Sequence, residues 1–117
     1  TAMKGPLFNW EGMRMKEIIP GYHAKLAHSE SMTFVMWEIA KDAPLPEHSH
    51  KHEQVTQVIE GVFELVIDGK KHEVHPGQII SIPSGVKHSG RALTWCRVLD
   101  TFSPVREDYQ FEESHIL

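Results

Sequence analysis

Three histidines at alternate positions are the first residues in this chain that suggest chemistry. They are His48, His50 and His52, in the stretch PLPEHSHKHEQVTQVIEG. In a β-strand, side chains two residues apart point to the same face, so His48 and His50 can direct both imidazoles at one metal ion. Three histidines on a straight strand would span roughly 13 Å, which is too far for a single ion. We therefore expect a bend near residues 51–53, after which Gln54 returns toward the ion.

The wider spacing of these residues resembles the two sequence motifs of the cupin superfamily. The first motif reads Gly, five residues, His-x-His, three or four residues, Glu, six residues, Gly. Four residues fit this spacing: His48, His50, Gln54 and Gly61. The second motif reads Gly, five residues, Pro-x-Gly, two residues, His, three residues, Asn, and it is matched in order by Gly77, Pro83, Gly85 and His88. A register that starts at His50 and His52 leaves no glycine at the required distance, which excludes His52 from the motif.

The chain departs from the cupin motifs at three positions. Asp42 stands in place of the first Gly, Gln54 in place of the Glu, and Ala92 in place of the final Asn. Of these changes, only the one at Gln54 concerns the metal ligands that the resemblance implies. A glutamate would cancel one unit of the charge on the ion, whereas a glutamine binds through a neutral amide oxygen. The full positive charge that remains favours a negatively charged or chelating substrate.

The resemblance implies one divalent transition metal ion, held by His48, His50, Gln54 and His88. Mixed imidazole and amide ligation does not select the ion, because Mn, Fe, Co, Ni, Cu and Zn all accept these ligands. Such a ligand set leaves coordination positions open for a substrate oxygen. The alternative is that the histidines line a polar barrel mouth without an ion. Five further histidines match no motif position and are predicted to be surface or capping groups: His23, His28, His72, His75 and His115.

A second group of candidate residues lies in the stretch LDTFSPVREDY, residues 99–109. If this stretch begins as a strand, Asp100 and Phe102 share one face with Val98. If that face is the barrel interior, Asp100 is an acid in an apolar cavity beside a cation, an arrangement that tunes a carboxyl group for proton transfer. Arg106 would then clamp a substrate carboxylate.

The alternative interpretation of the same stretch is structural. Asp100 can cap the turn at residues 103–104. Arg106 can form a surface ion pair with Glu107 or Asp108. The residues themselves leave both interpretations open.

The run DTFSPVREDY, after the His-x-His and Gln of the cupin motif, also resembles small bacterial cupins of pectin and alginate breakdown. Those proteins convert unsaturated uronate monomers to linear keto acids. The resemblance implies that Asp100 and Arg106 act as acid/base and substrate contacts and that Phe102 forms a pocket wall. The implied chemistry is metal-assisted ring opening and tautomerisation. The rival functions are an Fe(II)-dependent dioxygenase of a small chelating substrate, a non-catalytic cupin that binds a small metabolite, and a structural or storage cupin.

The elements that must position these residues are predicted to be short strands. Runs rich in Val, Ile, Phe and Trp recur between turn signals such as Asp68-Gly69, Pro76-Gly77 and Pro83-Ser84-Gly85. Regular short strands predict an all-β sandwich or barrel, and the resemblance implies the double-stranded β-helix, or jelly-roll, of the cupin barrel. The predicted strands are Met32–Ile39, Val55–Ile59, Val62–Ile67, Lys71–Val74, Gln78–Ile82 and Leu93–Phe102.

The chain is predicted to form one domain over residues 1–117, because its length suits a single core. The barrel core is placed at about residues 32–102, with a lead-in at 1–31 and a polar tail at 103–117. The lead-in holds a strand or irregular segment at Met13–Ile19 and no helical period.

Composition and charge restrict the classes of partner that the chain is expected to bind. The formal net charge is −4 and charges of both signs alternate, which argues against nucleic acid and an anionic membrane surface. The single cysteine, Cys96, and the absence of a long apolar run suit a cytoplasmic protein. Val35, Trp37 and Ile39 would lie together on an exposed face of their strand if one side of the sheet faced water, so a homodimer is predicted to cover them.

Overall fold

Residues 6–111, which the computed structural model describes, form ten strands and one short α-helix. A 3-10 turn at Trp10–Gly12 precedes the strands. No helix within this described part of the chain is long and apolar enough to cross a membrane. The elements are β1 Lys16–Ile19, β2 Tyr22–His28, β3 Thr33–Ile39, β4 Pro44–His48, β5 Glu53–Glu60, β6 Phe63–Ile67, β7 Lys70–Val74, β8 Ile79–Ile82, β9 His88–Ala92, β10 Cys96–Ser103 and α1 Glu107–Phe111.

Two antiparallel sheets enclose the core. The larger sheet has the order β1-β2-β3-β10-β5-β8, and the smaller sheet has the order β4-β9-β6-β7. Along β3 and β10, buried and half-buried residues alternate strictly, as expected for strands with one face on a core. The predicted all-β architecture, a double-stranded β-helix of the jelly-roll or cupin-barrel type, is confirmed.

The face of β3 that carries Val35, Trp37 and Ile39 is turned inward. These side chains are 0%, 9% and 2% exposed within the single chain. The argument that a second copy is needed to cover them is therefore wrong, because the smaller sheet covers them instead. The opposite face of β3, with Phe34 and Met36, is half-buried.

The core extends beyond residues 32–102 at both ends. Tyr22 and Ala24 of β2 are buried in it, although residues 1–31 were expected to be only a lead-in. Arg106 and Tyr109 are each 4% exposed, so the prediction that the tail lies outside the core is wrong for them. His115 lies outside the described residues.

Two motif positions are explained by their backbone conformation. Asp42, in place of the motif glycine, has φ of 67°. Aspartate is one of the few residues that adopt this left-handed conformation at modest cost, so the substitution preserves the turn before β4. Gly61 has φ of 83°, and a Cβ there would overlap the carbonyl oxygen of Trp95. Only glycine fits at position 61 without displacing that neighbour.

Candidate functional site

The two cupin-like motifs meet at one end of the barrel. His48 ends β4 and His88 begins β9, and the two residues are directly paired across the smaller sheet. His50 lies in the loop that follows β4, and the chain bends at residues 51–52, as predicted. The ligand nitrogens of His48, His50 and His88 all lie within 4.8 Å of one another. Gln54 is buried on β5 and faces this cluster.

Residues of the second motif hold the loop that carries His50. The backbone N–H of Gly85 donates to the carbonyl oxygen of His50 at 2.8 Å. The hydroxyl of Ser84 donates to the carbonyl oxygen of Lys51 at 2.5 Å. The turn after β8 therefore fixes the position of a histidine from the first motif.

Each histidine of the cluster is oriented by a backbone carbonyl. The Nδ1 atoms lie 2.9 Å from their carbonyl oxygens, in the pairs His48 with Pro46, His50 with His52, and His88 with Val86. A carbonyl oxygen only accepts, so each Nδ1 carries the proton and donates it. In the neutral ring the lone pair is then on Nε2, the nitrogen that remains for a ligand. This is the support that metal-binding histidines usually have.

The environment keeps two of these imidazoles neutral. Burial, followed by the positive charge of Arg106 and the repulsion that a protonated His88 would add, lowers the pKa of His50 from 6.5 to about 4. Burial is also the main cause that lowers the pKa of His88. Neutral rings with Nδ1 protonated present lone pairs and not protons to the centre of the cluster.

The atoms in the cluster fit a cation. His50 Nε2 lies 3.1 Å from Gln54 Oε1, and both atoms are acceptors when the ring is neutral. His88 Nε2 is buried and has no hydrogen-bond partner among the described residues. Two ligands at right angles, each about 2.1 Å from an ion, are about 3.0 Å apart. A divalent transition metal would satisfy His88 and relieve the contact between the two acceptors.

Asp100 shares a face of β10 with Val98 and Phe102, as the alternation predicted. That face is the barrel interior, and Asp100 is 8% exposed. Its Oδ2 accepts a hydrogen bond from Trp37 Nε1 at 2.8 Å, and its Oδ1 accepts one from Thr56 Oγ1 at 2.6 Å. Burial raises the pKa of this carboxyl from 3.8 to about 6, although hydrogen bonds from Thr56, Trp37 and Gln54 and the charge of Arg106 act in the opposite direction. The carboxyl group does not cap the turn after β10.

Arg106 is buried beside the same cavity. Its guanidinium donates to Asp108 through Nε at 3.1 Å and Nη2 at 2.8 Å. Its Cζ lies 4.7 Å from the ring centre of Phe102 and 4.1 Å from that of Tyr109. The pairing with Asp108 was expected in the structural interpretation, but there it was a surface pair, whereas Arg106 is 4% exposed. Phe102 in turn contacts the ring of His50, with centres 5.6 Å apart.

Two cavities meet at the histidine cluster. The inner cavity, inside the barrel, has a volume of about 50 Å³ and is lined by Trp37, Thr56 and Asp100 among mostly apolar side chains. The outer pocket has a volume of about 380 Å³ and opens at the barrel mouth. His48, His50 and Arg106 line both. The outer volume lies in the range of small-molecule sites, whereas the inner one holds roughly one or two waters.

His52 has a different environment from the other two histidines of its stretch. It is 6% exposed, and neither ring nitrogen has a hydrogen-bond partner among the described residues. Its side chain lines the outer pocket but is not part of the cluster. Its carbonyl oxygen orients His50. The motif register correctly separated His52 from the cluster, but the burial of its side chain was not predicted.

Sequence reasoning missed three residues of the site, namely Trp37, Thr56 and Tyr109, as chemical partners. A signal existed for Thr56, which has the same strand parity as Gln54. No signal existed for Trp37, because its contact with Asp100 depends on the register between β3 and β10. The remaining described histidines lie outside the cluster, at His23, His28, His72 and His75.

Comparison with known proteins adds relatives with this architecture. Residues 35–102 match the family model described as Cupin domain. The pectin degradation protein KdgF of Dickeya dadantii (strain 3937) is 35% identical over 83 residues, which are 69% of this chain and 76% of that protein. The structure of KdgF from Halomonas sp. has a TM-score of 0.84 at 30% identity and covers 90% of this chain and 98% of its own. An RmlC-like cupin from Shewanella frigidimarina has a TM-score of 0.85 at 28% identity, with coverages of 91% and 96%.

Proposed function

This chain belongs to the cupin domain family, and from that premise we propose that it is a metal-dependent enzyme acting on small anionic sugar derivatives. The proposed reaction is ring opening and tautomerisation of 4,5-unsaturated uronate monomers to linear keto acids. The observation that carries the proposal is a cluster of neutral ligand atoms in one site with a buried acid whose pKa is about 6. Similarity to pectin degradation proteins supports the substrate class.

The proposed reaction is an isomerisation, so atoms and electrons balance without a second substrate. The proton of the hydroxyl on C1 is removed, C1 becomes a carbonyl carbon, and the bond between C1 and the ring oxygen breaks. The ring oxygen stays on C5 as an enolate oxygen. A proton added at C4 then converts the enolate to a ketone. The protein must therefore accept one proton at an oxygen and deliver one proton to a carbon.

His48, His50, Gln54 and His88 are the residues that would hold the metal. A divalent ion bound there, such as Ni, Zn, Mn, Fe or Co, supplies Lewis acidity toward substrate oxygens. The four residues are uncharged when they bind through Nε2 and Oε1, so they do not offset the positive charge that attracts an anion. This neutral set is the reason for proposing an anionic substrate.

Asp100 is the residue that we assign to proton transfer. A carboxyl group with a pKa of about 6 can both accept and release a proton near neutral pH. Trp37 and Thr56 fix the plane of the carboxyl group through their hydrogen bonds. The reacting edge of the sugar would face this residue at the junction of the two cavities.

The body of the substrate is assigned to the outer pocket, because the inner cavity is too small for a sugar ring. Arg106 lines both spaces and is assigned to the substrate carboxylate, with Phe102 as the wall between Arg106 and His50. The guanidinium is already oriented by Asp108 and the two aromatic rings. A cation that is held in place before binding loses little entropy when it pairs with a carboxylate.

A homodimer and a cytoplasmic location stay predictions. The inward orientation of Val35 and Trp37 removes the first argument for the dimer. Light scattering of the purified protein at several concentrations measures its mass. A mass of one chain at all concentrations would contradict the dimer and leave the proposed reaction untouched.

The decisive experiment combines metal analysis with turnover. The purified protein is analysed for transition metals and incubated with unsaturated monomers derived from galacturonate and guluronate. We expect about one metal per chain, loss of the ultraviolet absorbance of the conjugated double bond, and linear keto acids by NMR. His50→Ala is the test variant and His72→Ala, an exposed histidine on β7, is the matched control.

Three outcomes would contradict the proposal. Equal turnover by wild type and His50→Ala would exclude the metal centre from the reaction. Oxygen uptake with Fe(II) and a chelating diketone, thiol or catechol, without turnover of any uronate, would favour the dioxygenase instead. Binding of a uronate without conversion would favour the non-catalytic cupin.

A further inference from the structure

Four buried polar side chains form a chain of hydrogen bonds. The chain connects the amide of Gln54, which faces the histidine cluster, to the carboxyl group of Asp100. Trp37 Nε1 donates to Asp100 Oδ2 at 2.8 Å, and Thr56 Oγ1 donates to Asp100 Oδ1 at 2.6 Å. Gln54 Nε2 donates to Thr56 Oγ1 at 3.0 Å, and the amide also interacts with the Asp100 carboxylate. All four residues are at most 9% exposed, so bulk water does not compete for these bonds. The direction of each bond therefore has to be consistent along the whole chain.

Counting protons fixes those directions. The indole N–H of Trp37 can only donate, and the ionised carboxylate of Asp100 can only accept. Thr56 has one hydroxyl proton, which is given to Asp100. The hydroxyl oxygen of Thr56 can then only accept from position 54. An amide supplies the required N–H, whereas a carboxylate at that position has no proton to give.

We propose that Asp100, acting through Thr56, is what requires an amide at position 54 and turns the amide oxygen toward the histidine cluster. Thr56 is thereby a positioning residue of the metal centre. The inference rests on the proposed role of Gln54 as a metal ligand, but not on the identity of the substrate. It also explains the departure from the cupin motif: the motif Glu is absent because the acid on β10 is present.

The opposite orientation of Gln54 would give an N–H to His50 Nε2. It would, however, turn the amide oxygen, in place of an N–H, toward Thr56 and the negative carboxylate of Asp100, which costs more. With the amide rotated, its oxygen would face the oxygen of Thr56, whose only proton is bound to Asp100. A glutamate at position 54 would place two oxygens in that contact and a second negative charge near Asp100. Buried polar groups without a partner are costly, and buried like charges more so. The amide oxygen thus faces His50 Nε2, where it is observed at 3.1 Å.

A double-mutant cycle in metal-free protein at pH 8 tests the energetic coupling between the residues at positions 54 and 100. The four proteins are wild type, Gln54→Glu, Asp100→Asn and the double variant. An asparagine at position 100 can donate to Thr56, and Thr56 can then donate to a glutamate at position 54, so the chain reverses direction and every bond is restored. We expect Asp100→Asn to lower the thermal midpoint of the wild type and to raise that of Gln54→Glu, each by about 4 °C or more.

Shifts of the same sign and size in both backgrounds would overturn the proposal. Repeating the cycle with Thr56→Val separates a bond through Thr56 from simple charge repulsion. We expect the coupling to fall to less than half in that background. Coupling that is unchanged by Thr56→Val would also overturn the role of Thr56.

Metal affinity provides the second readout, with Zn²⁺ and Ni²⁺ as probes and a chromophoric chelator as competitor. We expect Thr56→Val to weaken binding about 10-fold to 100-fold and Thr56→Ser, which keeps the hydroxyl, to stay within about 3-fold of wild type. Equal affinities for wild type and Thr56→Val would contradict the positioning role. If the wild type binds neither ion, the proposed metal-dependent function fails, while the unfolding cycle still decides whether Asp100 requires the amide.

Discussion

The two halves of the site are held in place by different kinds of partner. The histidines are oriented by backbone carbonyls that lie two residues away in sequence. Gln54 and Asp100 are oriented by side chains, with partners up to 63 residues away. A carbonyl cannot be removed by a substitution, whereas the indole of Trp37 or the hydroxyl of Thr56 can. The histidine half should therefore tolerate changes around it, and the amide and acid half should not.

The largest expected effect comes from removing a ligand of the histidine half. His50→Ala should weaken metal binding by more than about 100-fold and abolish turnover, since no neighbour replaces the lost Nε2. Competition against a chromophoric chelator measures the affinity. His72→Ala should match wild type. If His50→Ala keeps its metal and its activity, the histidines are not the functional half.

Removing the acid should separate turnover from metal binding. Asp100→Asn should lower kcat by about 10²-fold to 10⁴-fold, the usual contribution of a general acid or base. Metal affinity should fall less, by about 10-fold to 100-fold as for Thr56→Val, because Gln54 loses its orientation while the histidines keep their own carbonyl partners. The two quantities are measured on the same preparation. Parallel losses of affinity and kcat would mean that Asp100 serves only the metal.

Asp100 and His50 should contribute with opposite signs to the pH dependence of the free energy of unfolding. Its pKa is raised to about 6 from 3.8, so the folded chain holds a proton that the unfolded chain releases, and this stabilisation is lost as pH rises through that range. The lowered pKa of His50 gives stability that is lost as pH falls.

Comparing wild type with Asp100→Asn cancels the contribution of His50. The stability of wild type relative to the variant should therefore decrease by roughly 2 kcal/mol between pH 4 and pH 7. Urea unfolding of metal-free protein measures the difference. If the difference in free energy of unfolding between the two proteins does not change with pH, the pKa of the Asp100 carboxyl is not raised in the folded state.

The smallest expected effect comes from replacing Arg106, the residue assigned to the substrate carboxylate. Arg106→Lys keeps the charge but loses the two-pronged pair with Asp108 and the contact with Tyr109. We expect KM for the uronate to rise about 10-fold while kcat changes little. Arg97→Lys is the matched control, because Arg97 also pairs with carboxylates and lies over an aromatic ring, away from the site. A lower thermal midpoint with an unchanged KM would assign Arg106 a structural role only.

The difference between the histidine half and the amide and acid half of the site also explains which of their residues could be predicted from the sequence. Local spacing pointed to His48, His50 and Gln54, and the resemblance to the cupin motifs added His88. The structure brings these four residues together. The face of Asp100 followed from alternation along β10. Its partners did not, because they depend on strand register and not on spacing.

The strands that were not predicted have sequences without a β signal. β2, YHAKLAH, contains alanine and lysine, which are not typical strand residues. β4, PLPEH, contains two prolines, and β9, HSGRA, has no β-branched residue. Pairing with neighbouring strands overrides these local preferences. The two strands that present His48 and His88 are thus among the least recognisable.

The hydrogen bonds that orient the histidines join residues only two positions apart in sequence. Part of the histidine cluster could therefore be transferred to another protein. Each ligand histidine and the carbonyl that orients it lie in one three-residue segment: Pro46–His48, His50–His52 and Val86–His88. A designer who copied these three segments into another barrel of similar strand spacing would carry over the imidazoles together with their tautomers. The amide and the acid would not come with them, because they need three further strands, β3, β5 and β10, in fixed register.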